Sequence, residues 1–168
     1  MIKTFVVLAF FVCITSYGQQ HTETCSCCSD NHHAFDFWVG EWNVTTPKGQ
    51  VAGTNKISKE ENGCVIREKW SNGSTGYTGT SLNFYNNVSG KWEQLWVDNT
   101  GTFLKLSGNR IGNRMILSSK EFTKADGKLY RNRITWTKNE DGTIRQLWEL
   151  LLKEEVVSVL FDGLYKRK

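Results

Sequence analysis

The sequence predicts an all-β protein, a single antiparallel up-and-down β-barrel of about ten strands. From Phe35 onward, short runs in which apolar and polar residues alternate are separated by turn residues roughly every dozen positions. Proline occurs once and glycine fifteen times, which suits strands joined by tight turns. Because neighbouring runs are linked by short turns, so long a meander is expected to curl and close, and closure removes its edges.

Residues 1–18 are predicted to be a signal peptide. Lys3 supplies a positive charge, and Thr4–Thr15 is an apolar stretch too short to span a bilayer. Ser16 and Gly18 are small residues of the kind found near a cleavage site. The alternative, a transmembrane anchor, is disfavoured by the length of the apolar stretch. We therefore expect an exported protein, periplasmic or secreted, without a membrane span.

Residues 19–34 are predicted to be a flexible leader before the barrel domain, residues 35–168, because they are polar and lack hydrophobic periodicity. Of the five cysteines, one lies in the predicted signal peptide and four follow it. An even number of cysteines in an exported protein indicates disulfides, and we favour one between the leader and Cys64. A metal or redox role of the leader is the alternative, because thiolate and imidazole groups bind zinc and copper. The spacing matches no closed zinc site, so no metal ligands are assigned. The residues concerned are Cys25, Cys27, Cys28, His32 and His33.

The strand elements follow from period-two runs bounded by turn signals such as Asn72-Gly73 and Ala125-Asp-Gly127. Before the first strand, Phe35–Val39 is long enough for one turn of helix. The predicted strands are Trp42–Thr46, Val51–Glu60, Cys64–Ser71, Tyr77–Tyr85, Lys91–Val97, Thr102–Ser107, Arg114–Glu121, Leu129–Lys138, Thr143–Leu152 and Val156–Tyr165.

The charge pattern excludes a nucleic-acid surface. The formal net charge is +4, and the basic residues are mixed with acidic ones except at Lys166–Lys168. No histidine follows His33, so the barrel can supply neither a Ser-His-Asp triad nor a histidine ligand for haem. We therefore expect no cofactor, and the expected partner is a small apolar or amphipathic molecule.

Large aromatic and polar side chains share one face on several predicted strands. A plain core face would be aliphatic and a plain solvent face would be charged, whereas aromatic walls with a few polar groups are typical of a small-molecule cavity. The alternative is a filled barrel in which the polar groups satisfy one another. We predict that the cavity walls are Trp70, Trp92, Trp96, Trp136 and Trp148, and that the ligand is oriented by Glu68, Asn83, Gln94 and Asp98.

The leading functional hypothesis is non-enzymatic binding of a small molecule inside the barrel. The alternative is an enzyme, an isomerase or a hydrolase, in which Glu68 or Asp98 acts as general acid and base. Burial in an aromatic pocket would raise the pKa of either carboxyl group toward neutrality. Because a buried carboxylate more often has a structural partner, no catalytic residue is assigned.

Five segments between Phe35 and Arg167 carry a family resemblance: FDFWVGEW, NGCVIREKW, GTSLNFYNNVSGKWEQLWVD, RITW and FDGLYKR. Together they resemble an exported bacterial family of lipocalin-like proteins of unknown function in the calycin superfamily. The resemblance implies that the Gly40-Glu-Trp42 motif opens the first strand, that Trp42 plugs the base of the barrel, and that Arg167 packs over its indole ring.

Two properties of calycin relatives are not expected in this chain, because the residues they require are missing or face the wrong way. Nitrobindin-type barrels bind haem through a histidine near the C-terminus, and this chain has none there. Fatty-acid-binding relatives hold a carboxylate with internal arginines, whereas Arg131, Arg133 and Arg145 have the opposite parity from the tryptophan-bearing faces.

Overall fold

A computed structural model describes residues 25–168 as an all-β protein in which ten antiparallel strands close into an up-and-down barrel. The predicted signal peptide lies outside the described residues. The fold class predicted from the alternating pattern is confirmed. An eleventh strand, of two residues, adds to the ring outside it. The strands are β1 (Gly40–Thr45), β2 (Val51–Glu60), β3 (Val65–Asn72), β4 (Thr78–Asn86), β5 (Lys91–Asp98), β6 (Phe103–Ile111), β7 (Arg114–Ser118), β8 (Phe122–Thr123), β9 (Leu129–Lys138), β10 (Ile144–Leu152) and β11 (Glu155–Arg167).

The barrel closes between the first and the last strand. Each strand pairs with its neighbours in the chain, except that β7 pairs with β9, and the two-residue β8 pairs only with β9. β11 then pairs with both β10 and β1, with Trp42 opposite Arg167 and Thr45 opposite Leu164. Closure gives the strand pairing a continuous ring and an enclosed interior.

Most strand bounds lie within one or two residues of the prediction, but β6 runs four residues further, to Ile111. The predicted strand ended at Ser107, and this bound was wrong. Gly108 lies inside the β6–β7 pairing opposite Leu117, and a Cβ atom at this position would overlap the carbonyl oxygen of Ile116. The glycine therefore permits close approach of two strands, and the turn follows at Gly112.

The segment before the barrel is held against it. It contains helix α1 (Asp30–His33) and a short 3-10 helix (Asp36–Trp38), the latter in place of the predicted helical turn at residues 35–39. Disulfides join Cys25 to Cys28 and Cys27 to Cys64. The second of these forms the expected link between the leader and Cys64.

Aromatic side chains fill the barrel end at which β1 begins. Phe35, Trp38, Trp42 and Trp136 are fully buried there. Phe35 stacks on Trp38 with ring centroids 4.9 Å apart, and it packs edge-to-face with Trp136 at a centroid distance of 5.2 Å. The indole N–H of Trp42 donates to the carbonyl oxygen of Trp38 over 2.9 Å. We call these four side chains the aromatic plug.

Within residues 25–168, no helix has both the length and the apolar character needed to cross a membrane.

Candidate functional site

A cavity of about 230 Å³ lies inside the barrel above the aromatic plug. Because an apolar cavity of about 150 Å³ is enough to hold benzene, this one has room for a molecule of one or two rings. Leu160, at the mouth, is 47% exposed, so the cavity communicates with solvent. The lining residues are Glu68, Trp70, Asn72, Tyr77, Gln94, Trp96, Leu104, Ile134, Trp136, Gln146, Trp148, Leu160, Phe161 and Tyr165.

Most of the site residues predicted from strand parity line this cavity. They are contributed by β3, β5, β9 and β10, whose inward faces carry alternate residues as the pleat requires. The predicted residues found in the lining are Glu68, Trp70, Gln94, Trp96, Trp136 and Trp148.

Three predicted site residues lie elsewhere. Asn83 is fully buried beneath the lining, and its amide oxygen accepts a hydrogen bond of 2.7 Å from Gln94. Trp92 packs at the edge of the aromatic plug, where its ring centroid is 5.6 Å from that of Phe35 and its indole N–H donates to the carbonyl oxygen of Asn31. Asp98 stands at the rim, where it accepts a hydrogen bond of 2.9 Å from the Tyr77 hydroxyl.

A buried network of polar side chains forms the inner part of the site. The Glu68 carboxylate accepts hydrogen bonds of 2.7 Å from the Asn55 amide and from the Ser81 hydroxyl. The Asn83 amide donates to Ser81, and the Asn55 amide also donates to the Tyr165 hydroxyl over 3.3 Å. We call this network the Glu68 cluster, with the members Asn55, Glu68, Ser81, Asn83, Gln94 and Tyr165.

The electrostatic character of the cluster is set by Glu68. Burial raises the pKa of its carboxyl group to about 7, against the opposing effect of the hydrogen bonds from Asn55 and Ser81. Burial also raises the pKa of the Tyr165 hydroxyl well above its usual range, and the nearby Glu68 carboxylate adds to this effect. Near neutral pH, Glu68 therefore exchanges between its charged and neutral forms, while Tyr165 stays neutral.

Asp98, unlike Glu68, is surrounded by hydrogen-bond donors that favour its ionised form. Its Oδ1 accepts a hydrogen bond of 2.6 Å from the Thr100 hydroxyl and further bonds from the backbone N–H groups of Thr100 and Thr102. These bonds, the Thr100 hydroxyl first, lower the pKa of Asp98 to about 2. Asp98 is thus an ionised residue at the end of β5, and of the two predicted carboxyl groups only Glu68 suits an acid–base role in the barrel.

Strand parity also contained a signal for the lining residues that were not predicted. Gln146 shares its face with Trp148, and Tyr77 continues the inward parity of β4, so both could have been included. Tyr165 lies opposite the buried Val44 in the β1–β11 pairing. Its hydroxyl donates to the amide oxygen of Gln146, which connects the last strand to the site.

The arginines of β9 and β10 face away from the cavity. Arg131 pairs with Glu154, Arg133 with Glu149 over 3.0 Å, and Arg145 with Asp162 over 2.6 Å. None of the side chains that line the cavity in the described structure is basic. The interior therefore carries one carboxyl group without a protein cation beside it.

The leader provides no free thiolates among the described residues. Cys25, Cys27, Cys28 and Cys64 are all in disulfides, and no group of three potential metal ligands occurs in residues 25–168. The disulfides thus use the thiolate ligands that the metal alternative requires.

Comparison of the sequence with protein-family models and with curated proteins finds no match. The relation to other proteins consequently rests on architecture. A closed antiparallel barrel of ten strands in up-and-down order is consistent with a lipocalin- or calycin-like fold.

Proposed function

We propose that the protein binds a small apolar or amphipathic molecule in the barrel cavity, without chemical conversion. The observation that supports this most directly is the cavity itself, with aromatic walls around a buried polar cluster. Apolar walls supply binding energy through the area they remove from water, and a few fixed polar groups orient the ligand. A filled barrel, the structural alternative, would have no such space above its plug.

Two leucine-to-tryptophan variants test the proposal. Leu104 lines the cavity on β6, whereas Leu95, on the neighbouring β5, is 37% exposed and has outward parity. We expect Leu104→Trp to weaken the binding of propylbenzene by roughly tenfold or more, since the indole fills ligand space. Leu95→Trp should leave the affinity unchanged. Calorimetric titration measures both, and equal affinities in the two variants would contradict binding inside the barrel.

An enzymatic role has one specific observation in its favour, the Glu68 carboxyl group with a pKa of about 7 at the cavity wall. However, both of its oxygens already accept hydrogen bonds from the protein. Among the lining residues described, no histidine or cysteine accompanies it. Ligand binding needs only the groups that line the cavity, whereas catalysis would need a further reactive side chain beside Glu68.

We also infer that the protein is exported and belongs to the lipocalin-like calycin proteins. The signal-peptide pattern of residues 1–18 supports export, and disulfides are typical of oxidising compartments. N-terminal sequencing of the protein from its native host tests this inference. A chain that begins at Lys3 or earlier in the cytoplasm would contradict it.

A further inference from the structure

We propose that the ligand is a small organic cation, a protonated amine on an aromatic or short aliphatic body, held by Glu68 and the aromatic rings around it. This inference rests on the proposed function of the cavity and names the chemical class of its ligand. Three independent features of the site support it: its charge, its balance of hydrogen-bond donors and acceptors, and its aromatic walls.

When Glu68 is ionised, the charge of the site is negative and has no protein cation to compensate it. Glu68 is buried in the wall, and Asp98 stands at the rim behind Tyr77. The cavity lining described above contains no lysine, arginine or histidine. Burying a carboxylate without a cation is costly, and the cost falls when a partner of opposite charge binds beside it. An ammonium group supplies that partner, whereas a carboxylate ligand would be repelled.

The balance of hydrogen-bond donors and acceptors in the Glu68 cluster also favours a cationic ligand. Its side-chain donors already donate to protein oxygens: Ser81 to Glu68, Gln94 to Asn83, and Tyr165 to Gln146. Acceptors are left over, because an ionised carboxylate has about four acceptor positions and two of Glu68's are used.

A further acceptor in the same cluster, Asn55 Oδ1, is buried without a donor in the described structure, but Asn55 does not line the cavity, so this oxygen adds to the negative potential around Glu68 without contacting the ligand. An ammonium group has up to three donors and no acceptor, which matches the free acceptor positions of Glu68. Trp136 does present a buried indole N–H without a partner, but one neutral donor cannot offset a ligand carboxylate beside Glu68.

The walls suit the body of an organic cation. Cations are attracted to the faces of aromatic rings, most strongly to indole, and more so when the site is shielded from water. The aromatic residues that line the cavity are Trp70, Tyr77, Trp96, Trp136, Trp148, Phe161 and Tyr165.

Of the groups around the site, Glu68 is the one expected to make ligand binding depend on pH. The neighbours contributed by β2, β4 and β5 are Asn55, Ser81 and Gln94, which do not titrate. On β11, the pKa of Tyr165 is raised well above its usual range by burial. At the rim, burial together with Asp98 raises the pKa of Tyr77 to about 12, and Asp98 itself is held at about 2. Affinity for a cation should therefore increase with pH up to about 7 and then level off.

Three probes of similar size and different charge test the inference by calorimetric titration: phenethylammonium, propylbenzene and phenylpropanoate. With the wild-type protein at pH 8, we expect phenethylammonium to bind at least about tenfold more tightly than propylbenzene. Phenylpropanoate should bind most weakly. Lowering the pH to about 5.5 should cost phenethylammonium roughly tenfold in affinity while propylbenzene is unaffected.

Glu68→Gln and Asp98→Asn provide the matched variants. Glu68→Gln should abolish both the preference for the cation and its pH dependence, while retained binding of propylbenzene shows that the barrel is folded. Asp98→Asn, which neutralises the rim carboxylate, should keep most of the preference. Equal binding of phenethylammonium and propylbenzene by the wild type, or tighter binding of phenylpropanoate, would overturn the cation inference and leave the binding function standing. No saturable binding of any probe would overturn both.

Discussion

At the scale of single residues, Glu68 occupies a position that would be more stable with an aliphatic side chain. It lies on the inward face of β3 between Ile66 and Trp70, and its carboxyl group is surrounded by neutral donors. Burial of an ionisable group without a counter-charge costs folding free energy, and such local costs are characteristic of functional sites. The position of Glu68 at the cavity wall agrees with that interpretation.

Because burial of the ionised Glu68 carboxylate costs folding free energy, the stability of the protein should depend on pH. The pKa of Glu68 rises from an ordinary value of 4.5 to about 7 in the folded protein. The folded state therefore holds a proton that the unfolded state releases, and stability falls as pH rises through this range. We expect the free energy of unfolding to decrease by about 3 kcal/mol between pH 4.5 and pH 7.

Urea denaturation of the wild type and of Glu68→Gln across this range measures the effect. The variant, which cannot ionise at this position, should lose the pH dependence. A wild-type stability that stays constant or increases from pH 4.5 to pH 7 would show that Glu68 is not the dominant group in this range.

At the scale of elements, glycines in the strands make room for tryptophans on neighbouring strands. A Cβ atom at Gly53 would lie 2.9 Å from the Trp70 ring, and one at Gly79 would overlap the Trp96 ring. Since both indoles line the cavity, these glycines determine where the walls stand. Neither glycine has the positive φ that would indicate a turn. They are therefore explained by the close approach of the indole rings to the backbone.

Replacing Gly79 with alanine should therefore move the cavity wall. Trp96 must shift to accommodate the new methyl group, and overpacking of this kind destabilises by typically about 1–3 kcal/mol. We expect weaker ligand binding as well as lower stability. Thr78→Ala, one residue earlier on β4 and on the opposite, exposed face, is the control and should leave affinity unchanged. Calorimetric titration and thermal unfolding of the two variants separate the effects, and unaltered affinity in Gly79→Ala would refute the role given to the glycine.

At the scale of the whole molecule, the barrel has two layers. The aromatic plug fills one end, and the Glu68 cluster with the cavity occupies the other. Trp136 belongs to both layers, because it packs against Phe35 and Trp38 and also lines the cavity. Rigid packing below and open space above allow the protein to hold a binding site without a separate domain.

Strand parity predicted which side chains point inward, but it could not predict the layer in which each lies. Trp92 and Trp96 share the inward face of β5, yet Trp92 joins the plug and Trp96 the cavity wall. Orientation follows from the pleat of a single strand, whereas height within the barrel depends on the tilt and stagger of all its strands. The pairing of Cys27 with Cys64 was likewise one of several connectivities that the sequence allowed.

Closure of the barrel depends on a contact between its first and last strands. The guanidinium carbon of Arg167 lies 4.6 Å from the ring centroid of Trp42, and its Nη2 donates to the carbonyl oxygen of Val39 over 3.3 Å. Gly40 has a φ of +147°, and a Cβ atom at this position would lie 2.6 Å from Nη1 of Arg167. The glycine thus leaves the space in which the guanidinium covers the indole.

We therefore expect Arg167→Ala to lower the free energy of unfolding by about 1–2 kcal/mol, through loss of the cation–π contact and a charged hydrogen bond. Lys168→Ala, at the adjacent exposed position, is the control and should have little effect. Because this contact lies at the plugged end, the affinity for a cavity ligand should stay the same in both variants. Denaturant unfolding and ligand titration measure the two quantities independently. Unchanged stability in Arg167→Ala would show that strand pairing alone closes the barrel, whereas loss of binding would show that the plug and the cavity are energetically coupled.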